Sequence, residues 1–139
     1  MIYVYDASYI CALIIPDESS ATIDNQHRAI NENDIIFSPQ LLWYEISNTF
    51  RNLNRRKRYP VEVISHYFKA LAIIELNTDY ASGINYTTKI WQLGNDYNLT
   101  AYDAAYLELA ERKNAILCTL DVNLLNAARK HGVRTLEIT

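Results

Sequence analysis

Four acidic residues, Asp6, Glu45, Asp103 and Asp121, occupy positions where a carboxylate is out of keeping with its neighbours. Asp6 directly follows the apolar run Ile2 to Tyr5, and Asp121 directly follows the run Ala115 to Leu120. Asp103 lies within TAYDAAYLELA, a stretch otherwise nearly all apolar or small. A charge there is costly unless it is paired, capped or bound to a metal. Glu45 sits among Leu41, Leu42, Trp43, Tyr44 and Ile46, bordering the helical stripe of Leu42, Ile46 and Phe50. Each acid also has a plainer reading. Asp6 and Asp121 suit helix N-caps or turns, Asp103 suits a capping box with Thr100, and Glu45 suits a solvated helix flank. The readings are compatible, because a helix N-terminus favours a carboxylate.

Clustered carboxylates raise one another's pKa values unless a cation lies among them. Ligands that are all oxygen suit Mg²⁺ or Mn²⁺. Such an ion lowers the pKa of a bound water, orients a phosphodiester and stabilises the charge that develops on it. Ser8, two residues past Asp6, is placed to position a water or hold a phosphate oxygen. Other chemistries lack their motifs. There is no GxGxxG, Walker A or GxSxG sequence. Asp6-Ala7-Ser8 is not the DxD of a haloacid dehalogenase, and a receiver domain's acidic pair and late lysine are missing. His27, His66 and His131 have no zinc-ligand spacing and read as surface residues.

The elements that must present these acids are short. Ile2 to Tyr5, Asp34 to Ser38, Ala115 to Leu120 and Arg134 to Ile138 read as strands, and Leu76 to Tyr80 as a segment without clear periodicity, a loop. Continuous apolar runs suggest strands covered on both faces, as in a parallel sheet. Helices are expected over Ser8–Ile15, Ser19–Asn31, Pro39–Arg56, from Pro60 through Leu71, Ser82–Tyr97, Thr100–Arg112 and Val122–His131, the last stopped by Gly132. The fourth carries Val61, Ile64, Phe68 and Leu71 at helical spacing. Short strands alternating with helices mean an α/β layer fold. In an open parallel sheet ligands bind beyond the carboxyl ends of the strands, where Asp6 and Asp121 stand.

At 139 residues, 50% hydrophobic and 21% charged, the chain fits a single globular domain over 1–139. Its net charge of −3 does not advertise a nucleic-acid partner, although segregated surface charge leaves one open. Arg55-Arg56-Lys57-Arg58 gathers four of the 13 basic residues, either as cations at a helix C-terminus or as a phosphate-binding rim. Eleven tyrosines exceed ordinary usage; Tyr44, Tyr59, Tyr67 and Tyr9 are candidates for an apolar groove or dimer face. Cys11 and Cys118 lie in apolar stretches and read as buried free thiols of a reducing, cytoplasmic compartment. No apolar run is long enough to span a bilayer, so no membrane partner is expected.

YVYDASYICALIIPDE near the start, Glu45 after Pro39, TAYDAAYLELAERKNAILCTLD and the closing LLNAARKHGV resemble the PIN domain in its VapC-like toxin branch. The resemblance runs along essentially the whole chain. It implies a three-layer α/β/α fold around a mostly parallel sheet of four to five short strands. It also implies a Mg²⁺- or Mn²⁺-dependent endoribonuclease, the toxin of a toxin–antitoxin pair. A cognate antitoxin would inhibit it, and the chain would form a homodimer or a higher toxin–antitoxin assembly. Carried over position by position, the metal-binding and catalytic acids are Asp6, Glu45, Asp103 and Asp121, with Ser8 assisting and Asn123 an outer RNA contact. A metal-activated water would attack phosphorus in line, leaving a 5′-phosphate and a 3′-hydroxyl. Asp121 is followed by Val-Asn-Leu where the commonest family pattern has a basic residue. Two alternatives are a non-catalytic PIN scaffold that binds a partner or metal, and a structure-specific DNA nuclease. The complete acidic quartet favours the ribonuclease over the first, and small size without long helical insertions favours it over the second.

Overall fold

The computed structural model describes residues 1–18, 20–56 and 59–136. The expected basic residues Lys57 and Arg58, and the end of the closing strand from residue 137, lie outside these. Strand β1 (Ile2–Tyr5) is internal, paired in parallel with β2 (Ile35–Pro39) on one side and β4 (Ile116–Cys118) on the other. β3 (Leu76–Asp79) adds to the outer side of β2, giving the order β3-β2-β1-β4. This is the expected α/β fold, with all four strands parallel. Strands covered on both faces need continuous apolar sequence, and Val4, Tyr5, Ile116, Leu117 and Cys118 are all buried.

Parallel neighbours require long crossovers, which the helices supply. Helices α1 (Ala7–Ile14) and α2 (Ala21–Arg28) join β1 to β2, and α3 (Leu41–Arg56) and α4 (Val61–Ile73) join β2 to β3. Helices α5 (Ile84–Tyr97) and α6 (Ala101–Lys113) lead back across the sheet to β4, and α7 (Val122–His131) follows. Packing separates them into two layers. Helix α1 contacts α2, α3 and α4, while α6 lies on β1, β2 and β4 and contacts α5 and α7. Leu42, Ile46, Phe50 and Leu53 form the buried stripe expected of α3. In α6 every residue from Ala104 to Ala110 is buried, because neighbouring helices enclose it against the sheet. Asn98, Asn114 and Gly132 end α5, α6 and α7 in the left-handed conformation that these residue types tolerate best.

Several expectations are corrected. Leu76–Asp79 is a strand; it is an edge strand with half-exposed polar residues, so its sequence lacks the apolar run of an internal strand. Asn77 donates through Nδ2 to the Ile36 carbonyl, and Arg112 clamps Asp79 through both terminal guanidinium nitrogens at 3.0 and 2.6 Å. Pro39 closes β2 instead of opening the next helix, pairing in register with Asp79. The segment after α7 adds only one parallel bridge, Leu117 with Thr135, within the described residues. In α4, Leu71 is buried but Val61 and Phe68 are largely exposed, because only part of that face meets α1 and α3. Of the three histidines only His66 is exposed. His27 is half-buried against the Tyr5 hydroxyl (2.8 Å), and His131 against the Tyr97 hydroxyl (2.7 Å). Cys11 and Cys118 are free and buried, as expected.

Gly94 marks a place where local propensity and packing oppose each other. Alanine would favour the helix by about 1 kcal/mol. A Cβ at this position, however, would lie 2.9 Å from the Leu99 carbonyl oxygen, a backbone atom that cannot swing away. Gly94→Ala is therefore expected to destabilise the protein by roughly 1–3 kcal/mol, the range for overpacking. A urea midpoint shifted downward at unchanged m-value is the expected reading; an upward shift would show that the turn after α5 yields freely.

Candidate active site

The chain leaves β1 toward β2 and β3, then returns to the opposite side of β1 as β4. The strand order therefore reverses between β1 and β4, and the crevice beyond their carboxyl ends is where such sheets bind ligands. Asp6 and Asp121 both stand there. Asp6 continues the ladder, its N–H donating to the Cys118 carbonyl at 3.2 Å. Its carboxylate then caps α1, with Oδ1 accepting from Tyr9 N–H at 2.9 Å and from the Ser8 hydroxyl at 2.6 Å. Oδ2 accepts from the Thr119 hydroxyl. Asp121 caps α7, with Oδ1 accepting from Leu124 N–H at 2.9 Å. The hydroxyls that serve Asp6 also pin the other strand end. Ser8 Oγ accepts from Leu120 N–H at 2.9 Å, and Thr119 Oγ1 accepts from Asp121 N–H at 3.0 Å.

The helix-borne acids join from either side of the sheet. Thr100 caps α6 by accepting from Asp103 N–H at 3.2 Å, so Thr100 is the expected N-cap and Asp103 stands in the first turn. Glu45, early in α3, is half-buried, and its Oε1 accepts from the Tyr106 hydroxyl at 2.6 Å. Asp6, Asp103 and Asp121 thus lie at three helix N-termini, whose dipoles favour negative charge.

The charge on each acid is felt by the next. Burial raises the Asp6 pKa from the ordinary carboxylate range to about 6, against hydrogen bonds from Ser8, Thr119 and Tyr9 that pull it down, and the Glu45 charge adds to the rise. Glu45 is raised by burial and by Asp103, opposed by the Tyr106 hydrogen bond. Asp103 is raised by burial and by Asp121, opposed by Thr100. The couplings run in series, Asp6 to Glu45 to Asp103 to Asp121. No lysine, arginine or histidine among the described residues forms a salt bridge with any of them.

A set of oxygen donors with no counter-charge among the described residues fits a hard divalent cation. The side chains do not form a closed ligand cage: among the described residues no three His, Cys, Asp or Glu are gathered closely enough to hold an ion. Asp6 and Glu45 are instead held by protein hydroxyls.

Two residues of this network escaped the sequence reading. Thr119 and Tyr106 are buried, and both hydroxyls serve the acids. The available signal was a tyrosine in the otherwise aliphatic face of α6, whose hydroxyl needs a partner once buried. The outer contacts fall farther away. Arg55 and Arg56 are exposed at the end of α3, about 15 Å along the helix axis from Glu45. Asn123 is exposed on α7 and lines a cleft with Asn95, Asn98, Asn126 and Lys130. A larger surface cavity, lined by His27, Asp34, Ile35 and Leu76 among others, lies at the amino ends of β2 and β3, away from the acids.

The raised Asp6 pKa fixes the sign of a pH effect. In the unfolded chain Asp6 titrates near the ordinary value, about 3.9. Its contribution to stability is therefore full below that value and is lost as pH rises through about 6. Asp6→Asn is expected to show a shallower loss of stability between these limits, measured by urea unfolding in EDTA. Parallel pH curves for the two proteins would contradict the burial of this charge.

A family model described as the PIN domain matches residues 3–130. Ribonuclease VapC3 of Pyrobaculum aerophilum is 32% identical over 128 residues, covering 87% of this chain and 90% of that protein. The crystal structure of PAE2754 from the same organism superposes with a TM-score of 0.67 at 26% identity, over 97% of this chain and 92% of its own. VapBC2 of Rickettsia felis, solved with a DNA fragment from its promoter, reaches 0.71 at 13% identity over 98% of each chain, a likeness of fold. With the family's sequence pattern running from Tyr3 to Lys130 and a relative aligned along most of its length, the chain belongs to the PIN domain family.

Proposed function

We propose that this protein is a divalent-metal-dependent endoribonuclease, with Asp6, Glu45, Asp103 and Asp121 as the residues that hold Mg²⁺ or Mn²⁺. The observation that carries this reading is the series of coupled carboxylates, without a cationic partner among the described residues, at the crevice where the strand order reverses. The relative named Ribonuclease VapC3 supports RNA as the substrate class. From the family resemblance, the chain acts as a cytoplasmic toxin restrained by an antitoxin and works as a homodimer. No described helix is long and apolar enough to cross a membrane.

When bound, the ion supplies a water of lowered pKa and charge stabilisation at the scissile phosphate. The chain's own residues prepare for that chemistry. Ser8 and Thr119 fix both oxygens of Asp6 and tie the end of β4 to β1, so Asp6 and Asp121 keep a set separation. Tyr106 orients Glu45 from within the protein. The three helix N-termini lessen the repulsion among the acids before an ion arrives.

The test is incubation of the purified protein with total RNA and Mn²⁺ or Mg²⁺, beside EDTA and Asp6→Asn controls and a branched DNA substrate. Discrete RNA products with 5′-phosphate ends, absent from both controls, are expected. Cutting of the branched DNA alone would establish a DNA nuclease, and no cutting by folded protein would leave a binding module. Tyr106→Phe and Thr119→Val remove hydroxyls that orient the acids. Each is expected to weaken Mn²⁺ binding roughly 10–100-fold in a calorimetric titration, the usual effect of losing an outer-shell contact. Unchanged affinity would show that these hydroxyls serve only the fold.

A further inference from the structure

We propose that Tyr44 and Tyr102 form a nucleobase-stacking rim beside the acidic crevice, so that a single-stranded RNA is held mainly through its bases. The inference rests on the nuclease reading and assigns a binding surface to the same site. Tyr44 is the fourth residue of α3 and Tyr102 the second of α6, each immediately before one of the acids, Glu45 and Asp103. Glu45 accepts from the Tyr106 hydroxyl at 2.6 Å, and Tyr106 is one helical turn past Tyr102 on α6, so the turns of α3 and α6 that carry the two tyrosines are brought together. Both rings are solvent-exposed, Tyr44 at 69% and Tyr102 at 64%. Asp121 is flanked in the same way, by Leu120 and by Val122, which is 67% exposed. Three of the four acids therefore have an exposed apolar neighbour in sequence where a phosphate-binding site would carry a cation.

The charges elsewhere agree with this assignment. Arg112 is committed to Asp79 and Glu108, Lys89 to Glu111, and Lys113 lies over the Phe37 ring. On α3 the exposed Arg51 lies nearly two turns from Glu45, and Arg55 and Arg56 lie farther still. Phosphates approaching the acids meet like charge, so local affinity cannot come from counter-ion release alone. Stacking avoids that repulsion, is worth about 1–3 kcal/mol per base and tolerates any base sequence. Tyrosine suits it because ordering the ring fixes only two side-chain angles. Trp43, next to Tyr44, is different: its indole N–H donates to Thr78 at 2.9 Å, which fixes the ring against β3. A second exposed apolar group, Tyr80, Ile84 and Trp91, lies on α5 and the segment before it.

Binding is measured apart from cleavage, by fluorescence anisotropy of a labelled short oligoadenylate with full-length protein in EDTA and again in Ca²⁺. Tyr44→Ala and Tyr102→Ala are each expected to weaken binding about tenfold, within the range set by loss of one stacked base. Phenylalanine at either position is expected to restore it to within about twofold. An RNA duplex of the same length, whose bases are not free to stack on the protein, should bind no better than the double alanine variant. The proposal is overturned if the alanine variants bind as wild type, if phenylalanine fails to rescue, if duplex binds as well as single strand, or if wild type does not bind the oligoadenylate. It is also overturned if the variants lose self-association in light scattering while keeping RNA affinity, which would make the rim a protein interface. Failure of the total-RNA assay with binding and rescue intact would remove the nuclease reading and leave an RNA-binding site.

Discussion

A carboxylate removed from water is the constraint on which the rest of this structure turns. Asp6 is 5% exposed, and burial alone would drive it to the neutral form. The fold answers with three donors, from Ser8, the Tyr9 amide and Thr119, and these come from both sides of the β1–β4 seam. Stabilising one charge therefore stitches the seam where the sheet changes direction. The same hydroxyls accept from backbone amides of the β4 exit, so the polar groups that make burial tolerable also set the position of Asp121.

Around that seam the architecture is a means of delivering acids from separate parts of the chain. Two arrive on strand ends and two on helices from opposite layers. Local helix structure and global convergence make the same demand on three of them, since Asp6 and Asp121 cap helices, Asp103 stands in the first turn of one capped by Thr100, and these N-termini meet at one sheet edge. Glu45 is the exception. It has no capping duty, and a hydroxyl from the other helical layer, Tyr106, holds it in place. The layers are thus connected through the site as well as through the apolar core.

What could be read in the sequence follows from what burial makes conspicuous. A charge after an apolar strand or within an apolar helix is anomalous, so the four acids stood out, and Ser8 through its spacing from Asp6. β1 and the buried faces of α3 and α6 were visible for the converse reason, as unbroken or periodic apolar runs. Thr119 and Tyr106 were not, because threonine ending a strand and tyrosine in an apolar helix are unremarked until a partner is seen. β3 escaped because an edge strand of Leu-Asn-Thr-Asp relies on an arginine clamp and a side-chain amide, not on apolar residues. The exposed half of α4 escaped because periodicity says which residues share a face, but not whether anything covers it. Membership of the PIN family is shown by the comparisons, whereas the role of each acid is a reading of geometry and charge.

The central strand is near the start of the chain and its last neighbour, β4, near the end of the described residues. Loop closure across so long an intervening segment makes the β1–β4 pairing the most non-local event in folding. The full acid set consequently is not assembled until β4 docks, since Asp6 lacks Thr119 and Asp121 before then. For a protein that emerges from the ribosome in order, the four acids come together only after β4 has been made. The same logic runs in reverse: peeling β4 away, while leaving the β3-β2-β1 pairings intact, dismantles the site before the domain has unfolded.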